Sequence, residues 1–131
     1  MALTRPRYSQ IYDTDYKQSV RVATTGDVGN LLATGNMTNT IDGKSLAVAD
    51  RILVKDQTGA AQNGIYYVST LGTVAIAWVL TRTPGANTST EIAGAVVNVD
   101  QGTSAGLMFD TDFKSTDTLN TTSLTWNRIV D

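Results

Sequence analysis

The chain has 131 residues, a formal net charge of −2, no histidine and no cysteine, which excludes disulfides, thiolate nucleophiles, Ser–His–Asp and Cys–His catalysis and the usual zinc sites. The negative balance argues against bulk nucleic-acid binding, no apolar run approaches the ~18 residues of a membrane-spanning helix, and Met-Ala-Leu-Thr-Arg-Pro-Arg lacks the apolar stretch of a secretory signal. Charged residues are only 17% of the chain and threonine about one residue in six, a balance that favours strands and uncharged polar surfaces suited to permanent contacts.

Residues 1–18 read as an N-terminal docking arm. They carry Tyr8, Tyr12 and Tyr16 together with Arg5 and Arg7. A spacing of four is helical, but Pro6 and the Ser, Thr and Asp residues weigh against a long helix. The segment is therefore expected to be extended, with room for one helical turn. A disordered tail is the plainer alternative, against which stands the cost of leaving three tyrosines in water. Residues 1–21 carry a net +2 and residues 22–131 a net −4. A basic arm on an acidic body suits docking to an acidic neighbour, and chance is the competing explanation at such small counts.

The β domain is expected over 19–131. Ser19–Thr24 alternates Val20 and Val22 and predicts a strand. Residues 26–38 predict a loop or one short helix, and Ile41-Asp-Gly-Lys44 a tight turn. Asp50–Lys55 and Ile65–Thr70 are β-prone runs separated by a polar loop. Thr73–Thr83 alternates Val74, Ile76, Trp78 and Leu80 and predicts one long strand. Pro84–Thr90 reads as a loop. Ala95–Val99, Gly106–Asp112 and Leu124–Val130 complete seven expected strands with no long helix. The expected class is all-β: a small single-domain sandwich or barrel with an extended N-terminal arm. Its expected core is Val20, Val22, Ile52, Val54, Ile65, Val68, Ile76, Trp78, Val97 and Trp126.

Few residues invite chemistry. Glu91 is the one glutamate. Asp13/Asp15 and Asp110/Asp112 are paired carboxylates that would share a strand face, as glycoside hydrolysis or calcium binding would need. Their surroundings, full of Thr and Asp, fit solvated strands and turns better. Trp78, Trp126, Tyr66 and Tyr67 could form a sugar-stacking platform, but both tryptophans sit in apolar strand patterns that favour the core. Asp50 and Arg51 precede the best strand and predict a partly buried ion pair or a turn cap. Asp42-Gly43 and Asn63-Gly64 are turn formers. No catalytic residue, cofactor or metal is expected.

Residues 40–68 carry a pattern of wider significance, T-I-D-G-x-x-L-x-x-x-D-R-x-L-V-K-x-Q-T-x-A-x-x-N-G-I-Y-x-V. It resembles a module that recurs in tailed-bacteriophage tail-fibre and tail-associated proteins. Val20–Thr25, Leu80–Arg82, Gly94–Val97 and Leu124–Arg128 extend the resemblance over roughly residues 18–130. It implies a structural virion component, located in the tail rather than the capsid, that assembles with other tail or fibre subunits or with its own copies as an oligomer or ring. Fibre proteins usually continue into a long shaft, whereas this sequence stops just past the module. That fits a short adaptor, a ring subunit or a fibre-attachment piece. A capsid decoration protein and a host-glycan or receptor-binding module are the alternatives. No enzyme activity, nucleic acid or membrane is expected.

Overall fold

The computed structural model describes residues 16–29, 39–73 and 75–130. Among these residues nine strands follow in chain order: β1 (Val22–Ala23), β2 (Thr40–Ile41), β3 (Lys44–Ser45), β4 (Arg51–Val54), β5 (Gly64–Thr70), β6 (Val79–Arg82), β7 (Val96–Asn98), β8 (Met108–Thr111) and β9 (Trp126–Arg128). The helical content of the described residues is one short helix, α1 (Ser89–Ile92), and a 3-10 turn at Ala60–Gln62. The domain is thus all-β, as its composition predicts.

The strands form a four-stranded sheet, β1-β4-β5-β6, a three-stranded sheet, β7-β8-β9, and the hairpin β2-β3. In the hairpin turn both Asp42 and Gly43 have positive φ, 51° and 76°, the left-handed pair that a two-residue connection needs. The two larger sheets are stitched by one segment. Tyr16 and Val20 bridge in parallel to Val96 and Val99 on the β7 side, and two residues later Val22 and Ala23 pair in parallel with Ile52 and Leu53 of β4. A strand that switches sheets makes the corner of the structure.

The four-stranded sheet is buried on both faces. Ala23, Leu53 and Ile65 pack against Val97, Phe109, Leu124 and Trp126 of the three-stranded side. Val22, Ile52, Val54, Tyr66, Val68 and Leu80 face the opposite way and pack with Ile41, Leu46 and Trp78. This is why Ile52-Leu53-Val54 is an unbroken apolar run: successive side chains enter different cores, and neither faces water.

Nine of the ten expected core residues are buried; Ile76 is not, at 57% exposed. The long strand expected over Thr73–Thr83 begins only at Val79. Ahead of it the chain turns: Thr73 N donates to Ile76 O at 2.6 Å, and Thr73 Oγ1 accepts from Ala75 N and Ile76 N at 3.2 and 3.0 Å. An irregularity in the β5–β6 register between Val68 and Thr70 adds to the break, with Ser69 Oγ turned onto Val79 O at 2.9 Å. The expected loop at Pro84–Thr90 also gives way earlier than its composition implies. Thr88 Oγ1 accepts from Glu91 N at 3.2 Å and caps α1, whose Ile92 enters the core.

Candidate functional site

The residues of the 40–68 pattern are spread over the hairpin, β4, the loop after it and β5, and they act on segments distant in sequence. Asp42, at the hairpin turn, accepts from Thr103 N at 2.7 Å and Thr103 Oγ1 at 2.9 Å. It thereby fastens the hairpin to the β7–β8 loop. Asp50 Oδ2 accepts from Ala47 N at 2.8 Å, which caps the turn before β4, and forms an ion pair with Arg21 Nη1 at 2.5 Å. Arg21 also donates to Ser45 O and Gln101 Oε1. A single guanidinium therefore joins the hairpin, the β4 approach and the loop after β7.

Arg51 does not pair with Asp50. Its guanidinium reaches backwards, donating to Gln18 O at 2.7 Å and Ser19 O at 3.2 Å, and to Thr83 Oγ1 at 2.7 Å. Half-burial pulls its pKa down from the ordinary arginine value. The two expectations for Asp50 and Arg51 thus separate: Asp50 makes the ion pair and the cap, and Arg51 pins the backbone of residues 18–19. Lys55 lies against Asp56 at 3.1 Å and over the Phe109 ring.

A second network surrounds Asn63-Gly64. Asn63 Oδ1 accepts from Gln57 N and its Nδ2 donates to Leu124 O, both at 3.0 Å. Gln57 in turn holds Val28 N and Gly29 O, each at 2.8 Å. Arg82 is buried beside them with no carboxylate partner among the described residues. It donates to Asn63 O and Ala61 O at 2.9 Å and to Asn120 Oδ1 at 3.0 Å, and stacks on Tyr66. Burial lowers its pKa, which the Tyr66 phenol partly counters. Burial raises that of Tyr66, whose hydroxyl donates to Gln62 O. Gly64 makes room for this arginine. At φ +155°, a Cβ there would lie 2.2 Å from Arg82 Nη1. Asn63-Gly64 was expected as a turn; Gly64 instead opens β5 and Asn63 is a buried tie.

The remaining expectations fall as follows. Tyr16 lies against its own domain, bridged to Val96, with its hydroxyl accepting from Asn98 Nδ2 at 2.8 Å. Arg5, Arg7, Tyr8 and Tyr12 lie outside the described residues, as do Asp13 and Asp15. Among the described residues Tyr16 already pairs with β7, within the segment expected as the arm. Trp78 and Trp126 are 1% and 8% exposed, so they present no open platform. Asp110 and Asp112 flank the inward-facing Thr111, and no group of three or more acidic residues gathers among the described residues. Three residues outside the expectations carry much of the network: Arg21, Thr103 and Arg82. Only Arg82 left a signal, a charge at the same strand parity as Leu80. No family model, curated protein or solved structure matches the chain.

Proposed function

We propose that this protein is a structural component of a tailed-bacteriophage virion, a tail-associated adaptor, ring or fibre-attachment subunit that assembles through protein–protein contacts. The resemblance of residues 40–68 to tail-associated modules supplies the class. The observation that carries the reading further is what those residues hold. Asp50, through Arg21, and Arg51, through Gln18 and Ser19, grip the segment that follows residues 1–15 in sequence. Side chains placed to fix the base of an arm suit a protein whose task is attachment. The reading assigns no catalytic role.

In this reading residues 1–15 dock on a neighbouring chain. Tyr8 and Tyr12 are the anchors, of a type common at interface hot spots, and Arg5 and Arg7 meet acidic partners. The decisive experiment compares the intact protein with one lacking residues 1–15, leaving Tyr16 and its β7 contacts in place. Incorporation into particles is scored, and gold-labelled protein is located by electron microscopy. Tail labelling of the intact protein, lost on truncation while the domain stays folded, supports the proposal. Labelling over the shell replaces it with a capsid decoration role. Absence from purified particles overturns it.

A further inference from the structure

The three-stranded sheet has two edges, and they differ. Along β7, residues 16–20 occupy the edge, with Lys17 N donating to Val96 O at 2.7 Å and Val20 N to Asn98 O at 2.9 Å. Along β9 no strand follows among the described residues. The register Phe109↔Arg128, Asp110↔Asn127, with Ile129 N donating to Met108 O at 2.9 Å, turns the backbone groups of Asn127 and Ile129 towards β8. Antiparallel alternation then turns those of Trp126, Arg128 and Val130 outward. Edge strands are commonly blunted by lysine, proline or a bulge. The β9 edge has no lysine, proline or bulge, its one charge being Arg128, and runs on into Ile129 and Val130, 37% and 76% exposed. Beside it lies an open groove of about 340 Å3 lined by Gly106, Leu107, Met108, Arg128, Ile129 and Val130.

We propose that the β9 edge and its groove receive residues 1–15 of a second copy of this chain, which add to the sheet as a further strand. The inference rests on the docking role given above to that segment and names its acceptor. Three observations select the occupant. First, Tyr16 displays the mode: it joins a sheet edge in parallel and sets its hydroxyl on Asn98. In an extended chain Tyr8 and Tyr12 share its parity, and Tyr8-Ser-Gln-Ile-Tyr12 is β-prone. Second, the residue that follows the segment, Tyr16, lies on the β7 edge, opposite β9. Fifteen extended residues span about 50 Å, ample to reach a neighbour, whereas their own β9 requires a reversal across the sheet. Third, Asp110 lies next to Asn127 of β9, and Asp112 accepts from that residue's Nδ2 at 3.4 Å. Neither carboxylate has an ion-pair partner among the described residues, and the incoming segment supplies Arg5 and Arg7. Head-to-tail contacts of this kind are heterologous and close into a ring when the rotation permits.

The test uses a fluorescently labelled peptide of residues 1–15 and the protein lacking those residues, read by anisotropy. Saturable binding is expected, weakened at least tenfold by Val130→Glu and by Arg128→Pro, and unchanged by Val48→Glu outside the groove. Tryptophan fluorescence checks that each variant is folded, and Val130→Glu alters only an exposed side chain. Binding that ignores both β9 variants would overturn the acceptor while leaving the docking role intact. Failure of the peptide to bind, with truncation still abolishing incorporation into particles, would overturn the second copy in favour of a different chain. An intact protein that stays monomeric and refuses a peptide its truncated form accepts would show the segment filling its own edge, and would also overturn the proposal. Failure of both the peptide and the particle assay would remove the docking role itself.

Discussion

Replacing Arg82 by methionine tests whether the buried arginine fastens the two halves of the molecule. Methionine keeps much of the volume and removes the donors. Asn63 O, in a buried residue, then loses its charged partner, and Ala61 O, in a half-buried one, must find water. A hydrogen bond to a charged group contributes about 1.5–3 kcal/mol, and stacking on Tyr66 adds ~0.5–1 kcal/mol. The variant escapes the desolvation of the guanidinium, which offsets part of this. Replacing both members of a buried ion pair with apolar groups is often neutral, but here two of the three acceptors, Asn63 O and Ala61 O, are main-chain carbonyls that mutation cannot remove. A net loss of about 2–4 kcal/mol is expected, near 10 °C in Tm for a chain of this size. Urea denaturation followed by the fluorescence of the buried Trp78 and Trp126 measures it, with m unchanged. Gly64→Ala provides an internal check. Its new Cβ collides with Arg82 Nη1, so the two substitutions should be sub-additive, because removing the arginine removes the collision. A loss under ~1 kcal/mol, or strict additivity, would refute the reasoning.

Two further outcomes follow from the same geometry. Backbone hydrogen bonds from Thr58 and Gly29 hold the Asp27 carboxyl below its ordinary value of 3.8. A depressed folded pKa gives stability that is present above the unfolded value and lost as pH falls through the folded one. The tie between the 26–29 and 56–58 segments should therefore persist at pH 5 and release only below pH 3.8, with the Asp27 carboxyl and Thr58 amide NMR signals titrating together; a midpoint at or above 3.8 would contradict it. Ile76→Thr should change stability by less than ~0.5 kcal/mol because the side chain is exposed, whereas Trp78→Ala should cost about 3–5 kcal/mol. Similar losses from the two would restore the long strand that the alternation implies.

Much of the scaffold is legible in the residues themselves. The apolar run of β4, the aromatic run of β5 and the Asp42-Gly43 turn each state a local preference that the fold satisfies. Alternation misleads at Ile76 because a strand needs a partner as well as a pattern. Thr73 captures two main-chain amides with its own hydroxyl, and the irregularity after Val68 withdraws the neighbouring ladder. The network around the 40–68 pattern is illegible for a different reason. Asp50 finds Arg21, 29 positions upstream, and Asp42 finds Thr103, 61 positions downstream. No local spacing encodes such pairs. Even so, Asp50, Arg51 and Asn63 each stand where a polar side chain meets a buried strand, so their importance was visible although their partners were not.

The choice of partners answers a problem set by β1. A two-residue parallel strand cannot fix its own register. Its neighbours make register matter: Val22 belongs to one core and Ala23 to the other, so a slip of one residue would exchange them and leave one core overfilled and the other with a void. Main-chain bonds alone would be nearly as good after the slip. Side chains break the tie. Arg21 meets Asp50, Ser45 and Gln101 only when it sits beside Arg51, and Arg51 reaches Gln18 and Ser19 only from the same alignment. The Arg21–Asp50 pair is partly exposed and contributes only about 0–1 kcal/mol. Its value lies in the difference between the right register and the wrong one. That register also sets where Tyr16 meets β7, the point at which the described domain begins.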